Sequence, residues 1–69
     1  MEDMKKLKSL VEHWKFHNVE HAETYLKWSE KVSNHEALSK VLQQVSVESI
    51  KVNDLLKEAV ALIEKALKE

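Results

Sequence analysis

The sequence predicts an all-α fold: one domain over residues 1–69, an antiparallel helical hairpin that dimerises into a four-helix bundle. Three observations predict it. The chain has no glycine and no proline, so it lacks the residues that tight turns and strand-rich folds draw on. Its apolar residues recur at alternating steps of three and four in both halves, the signature of a helix seam. More apolar side chains fall off those seams than two helices can shelter.

The first helix is expected over about residues 3–32. Met4, Leu7, Val11, Trp14, Asn18, His21, Tyr25, Trp28 and Val32 form its seam. The break comes at Ser33-Asn34-His35-Glu36. Ser33 with Glu36 three residues later reads as a capping box, and Asn34 as an alternative cap or a left-handed helix end. A turn over about residues 33–36 is short, so the helices should run antiparallel.

The second helix is expected over about residues 36–67. Its seam is Leu38, Leu42, Val45, Ser49, Val52, Leu56, Ala59, Ile63 and Ala66. The β-branched stretch Val45–Val52 resembles a strand locally, but the helical seam runs through it in phase, with a kink expected near Ser46. Each helix should be about 45 Å long at 1.5 Å per residue. Glu2–Lys6, Glu23–Lys27, Glu36–Lys40 and Glu64–Lys68 are spaced as favourable i,i+4 pairs.

Association follows from size. A chain of 69 residues buries only about 60% of its unfolded surface and is marginal alone. Such scaffolds add disulfides, a metal or a partner. There is no cysteine, which removes disulfides and thiolate sites. Leu10, Phe16, Val19, Leu26, Val47, Ile50, Val60 and Leu62 lie off or at the edge of the seams, so a second contact surface is needed. A homodimer is the simplest way to supply it.

Composition also excludes partners. The formal net charge is −1, and every basic residue apart from histidine is lysine. Without a basic face or arginine, nucleic acid is not an expected partner. No apolar run approaches the roughly 18 residues of a membrane span, and no signal-like apolar region opens the chain. The expected compartment is the cytoplasm.

Chemistry concentrates on His13, His17 and His21. A spacing of four stacks imidazoles on one helix face, where two can share a metal. If the turn centres near residue 34, residues whose numbers sum to about 69 share a level. Asn18, His21, Glu48 and Ser49 then form a polar layer in an otherwise apolar core. Such a layer is either a hydrogen-bonded register device or a metal site. His35 reads as a solvated turn residue, and Trp14, Tyr25 and Trp28 as core or dimer interface. Neither Glu-x-x-His nor His-Glu-x-x-His occurs, so di-iron and zinc-protease chemistry are not indicated. The protein is not expected to be an enzyme.

The stretch from His13 to Trp28 resembles a small helical domain of archaea and bacteria with the pattern H-W-x-x-H-N-x-x-H-A-x-x-Y/F-x-x-W. Here His13, Trp14, His17, Asn18, His21, Ala22, Tyr25 and Trp28 carry the match. Phe16 departs from it, where an acidic residue is commoner. Members of that domain occur alone or beside CooT-like nickel-handling proteins. The resemblance implies an accessory role in metal handling, with another metal-handling protein as a partner. The expected function is thus a nickel- or zinc-type metal-binding module. Its ligands would be His13, His17 and His21, with Glu20 or Glu48 completing the shell. The alternative is a structural, homodimeric interaction bundle whose polar layer sets register and holds no ligand.

Overall fold

Both helices begin with acid and end with lysine. Glu2 and Asp3 open α1 (Glu2–Lys31) and Lys31 closes it; Glu36 opens α2 (Glu36–Lys68), and Lys65 and Lys68 close it. These charges complement the helix dipoles. The structure is a computed structural model that describes residues 2–69. In it α1 and α2 pack against each other as a hairpin measuring 54 × 14 × 11 Å between Cα atoms. The β-branched stretch Val45–Val52 lies inside α2, so tertiary context overrides its strand propensity.

The turn closes without the expected capping box. The N-cap of α2 is His35, at φ −106° and ψ 80°, and its side chain makes no capping hydrogen bond. Nor does Asn34 adopt a left-handed conformation: no described residue has positive φ. Backbone donors do the work instead. Val32 N–H bonds Trp28 O at 3.1 Å, Ser33 N–H bonds Glu30 O at 3.2 Å, and His35 N–H bonds Val32 O at 2.8 Å. These bonds pair the Ser33 N–H, which Glu36 would accept in a capping box, with Glu30 O instead, and the first N–H groups of α2 carry no side-chain cap.

The seam is rotated from the one the sequence pattern suggests. On α1, Met4, Val11, Asn18 and Tyr25 do face α2, as expected, and so does Val32 just beyond its end. Between them, however, the facing residues are Lys8, Lys15, Ala22 and Ser29, while Leu7, Trp14, His21 and Trp28 point outward. On α2, Leu42, Ser49, Leu56, Ala59, Ile63 and Ala66 are buried or half-buried as expected, and Ser39, Ser46, Asn53, Val60 and Leu67 complete the row. Leu38, Val45 and Val52 are exposed.

Size explains the rotation. In the half near the turn the helices meet through Ala22, Ser29, Ser39 and Ser46. Ser39 Oγ donates to Ser29 O at 2.8 Å, and Ser46 Oγ donates to Ala22 O at 2.7 Å. A hydroxyl reaches the opposite backbone only where no bulky side chain intervenes. Trp14, His21 or Trp28 in that row would hold the helices apart. The open half is aliphatic: Val11, Val60 and Ile63 are buried, with Met4, Leu56, Ala59 and Leu67 packed against them. Lys8 Nζ crosses to Glu64 at 3.2 Å over this end. Of the expected i,i+4 pairs, Lys40–Glu36 forms an ion pair at 3.1 Å.

The interior is therefore small and partly polar, while large apolar side chains lie outside. Phe16 is 64% exposed, Leu62 68% and Trp28 52%. None of the described helices is long and apolar enough to cross a membrane.

Candidate functional site

The i,i+4 spacing builds an aromatic column along α1. The His13 and His17 ring centroids are 5.1 Å apart, as are those of His17 and His21. His21 stacks on Tyr25 at 6.1 Å with the planes 21° apart. Because an α-helix has 3.6 residues per turn, a row of i+4 steps drifts slowly round the cylinder. The column thus runs from solvent at His13 to the half-buried edge of the seam at Tyr25. His17 Nδ1 and His21 Nε2 lie 3.2 Å apart, in hydrogen-bonding contact. His13, Trp14, His17, Asn18 and His21 line one open groove on this face.

The expected carboxylates do not join the histidines. Glu20 lines a separate shallow depression with Glu23, Thr24 and Lys27. Glu48 sits on α2, where it accepts from Gln44 Nε2 at 2.7 Å and from Lys51 Nζ at 3.4 Å. No set of three or more His, Cys, Asp or Glu side chains close enough to hold a metal occurs among the described residues. His35 is exposed at the turn, as expected.

The polar layer exists, with different members. Asn18 Nδ2 donates to Asn53 Oδ1 at 2.9 Å, and Asn53 Nδ2 donates to Lys15 O at 3.1 Å. Asn53 is buried and Asn18 half-buried, and no buried side-chain polar atom among the described residues lacks a partner. Ser49 lies half-buried on its own helix, its Oγ donating to Val45 O at 2.9 Å. His21 and Glu48 are outside the layer because their positions fall one step off the true seam. Asn53 was the residue missed. The signal that would have found it is the second heptad row of α2, where Ser39, Ser46 and Asn53 recur at intervals of seven.

Two broad faces flank the seam. One carries the histidine column and, on α2, a groove lined by Val41, Gln44, Val45, Glu48, Ser49 and Val52. The other carries a groove of Phe16, Val19 and Ile50 edged by Glu12, Lys15, Asp54 and Lys57.

A family model described as Domain of unknown function (DUF8180) matches residues 7–63. The chain belongs to that family, and the match draws no link to CooT-like proteins. Neither the curated proteins nor the solved structures gave a match.

Proposed function

We propose that the hairpin is a metal-binding module for a divalent transition ion of the zinc or nickel type. Its primary ligands are His17 and His21. One observation carries the reading: the 3.2 Å between His17 Nδ1 and His21 Nε2. Two imidazole nitrogens about 2.0–2.1 Å from a tetrahedral metal stand roughly 3.3–3.4 Å apart. The pair is thus held near the spacing that such an ion needs, on a rigid helix, with both rings open to solvent. His13 meets His17 edge-on at 68° and is the weaker candidate. Glu20 and Glu48 would have to change rotamer or partner to contribute.

The test is a thermal melt with and without metal. A ligand at 100 times its Kd stabilises the folded state by about 2.7 kcal/mol, which for a domain this small raises the melting temperature by roughly 10–20 °C. His17→Ala and His21→Ala should each abolish that rise. An unchanged midpoint under excess zinc and excess nickel would end the proposal.

A second reading has its own support. The outward Trp14 and Trp28, with Val45 and Val52 on the same face of the hairpin, favour a helical interaction module completed by a second copy, with Asn18–Asn53 as its register lock. On this account the histidines are surface residues, and replacing them alters neither folding nor assembly.

A further inference from the structure

Each copy offers two donors, and a zinc-type ion takes four. His17 and His21 supply nitrogen, and no third His, Asp or Glu gathers with them among the described residues. The missing ligands come from solvent or from another molecule. The surrounding face favours another molecule. Trp14 and Trp28 flank the pair along α1, and Val41, Val45 and Val52 lie across the seam, all of them exposed. In the two heptad rows that each helix gives to this face, the charged residues are Asp3, Lys31, Glu48 and Glu69, three of them near the ends of the helices, leaving the rest uncharged.

The size of the face also fits. It measures 54 by 14 Å between Cα atoms. A copy laid over it would cover roughly 750 Å² per partner, beside about 800 Å² in a standard stable interface.

We infer that the remaining two imidazoles are the His17 and His21 of a second copy of this chain. The copies pack face to face with α1 antiparallel on α1, and one metal ion is shared between them. This rests on the metal-binding reading above. The position of the pair carries the geometry. His17 and His21 lie close to the middle of α1 (Glu2–Lys31). A two-fold axis crossing the helix between them sets each His17 against the partner's His21 while most of both rods overlap. Leu10 then meets the partner's Trp28, and Val52, which precedes Asn53 at this level of α2, lies beside the axis. A pair near either end of the helix would bring its equivalent close only by leaving much of the apolar face bare. The competing arrangement, α1 on the partner's α2, would instead set Glu48 against the histidines and make two sites per dimer.

The experiment uses the full chain, stripped of metal, titrated with zinc and then nickel. Native mass spectrometry reads stoichiometry, and sedimentation reads assembly. The expected species is two chains of 8.1 kDa holding one ion, with the dimer tightened at least about tenfold by metal, because linkage is reciprocal. His17→Ala and His21→Ala should lose both the ion and the tightening with unchanged helix content. Trp14→Lys, which leaves every ligand in place, should weaken metal binding by weakening the dimer. Glu48→Gln should change neither quantity. One ion on each solitary chain would overturn the shared site and leave the binding reading standing. Two ions per dimer, lost in Glu48→Gln, would overturn the α1-on-α1 arrangement. No ion on any species would remove the reading beneath it.

Discussion

Replacing Asn53 by alanine isolates the contribution of the central amide pair. Asn53 is 8% exposed. It accepts from Asn18 Nδ2 at 2.9 Å and donates to Lys15 O at 3.1 Å. Each such bond contributes about 0.5–1.5 kcal/mol net, so Asn53→Ala should destabilise the hairpin by about 2 kcal/mol. In a domain of this size that lowers the melting temperature by roughly 8–16 °C. Asn18→Ala loses one of the two bonds from a half-buried position and should cost about 1 kcal/mol. The double variant should cost about as much as Asn53→Ala alone, a coupling of roughly 1 kcal/mol between touching residues. Circular dichroism melts and urea titrations at one matched chain concentration measure all four proteins, since assembly would otherwise shift the midpoints. The account of the seam fails if Asn53→Ala melts within about 2 °C of the parent. Strictly additive single substitutions would defeat it as well.

Ser29→Leu forces a large side chain into the tightest part of the seam, where Ser29 is 0% exposed. Overpacking of this kind costs about 1–3 kcal/mol, and a parent-like melting curve would contradict the close approach described for Ala22, Ser29, Ser39 and Ser46. Trp14→Ala removes a side chain that is 44% exposed in the hairpin; helix content should hold while self-association, read by sedimentation, weakens about tenfold or more. Lys8→Met breaks an ion pair whose partners are 40% and 49% exposed, so its melting midpoint should reflect less than about 1 kcal/mol. Metal-induced stabilisation should fade between pH 7 and roughly pH 5, because protons compete with metal for imidazole nitrogen. A thermal shift that is the same at both pH values would exclude histidine ligands.

Helix number and direction were legible because they depend on composition and period. Leucine, alanine, glutamate and lysine around a step of 3.6, with no glycine or proline, leave little alternative. The level pairing was legible too. Ser39 with Ser29 and Ser46 with Ala22 sum to 68, and Asn18 with Asn53 sums to 71, around the expected 69. What the pattern could not resolve was the choice between two overlapping stripes. Leu7, Trp14, His21 and Trp28 are the more apolar row, and hydrophobicity alone assigns them to the nearest partner. A two-helix contact selects by size instead, and the row of Ala22 and Ser29 permits the closer approach. The displaced row then becomes an outer face. That one-step rotation also moved His21 and Glu48 out of the polar layer and brought Asn53 in. The turn was misread for a different reason: Ser33 and Glu36 have the spacing of a capping box, but α2 starts after His35 rather than Ser33, and the Ser33 N–H is bonded to Glu30 O.

The absence of any left-handed residue in the connection has a consequence for what that connection is free to become. Nothing in Val32–His35 makes a demand that only one amino acid meets. Alignment of the two rods is held farther along, by Ser39, Ser46 and Asn53. Beyond the half-buried Val32, the linker is therefore free in its spelling and nearly free in its length. Doubling a flexible loop adds only about 0.6 kcal/mol of closure entropy. Grafted peptides, or a cut with new termini at this bend, should leave the pairing of the rods in register. The bend, at the opposite end of the rod from Glu2 and Lys68, is the natural place to attach cargo.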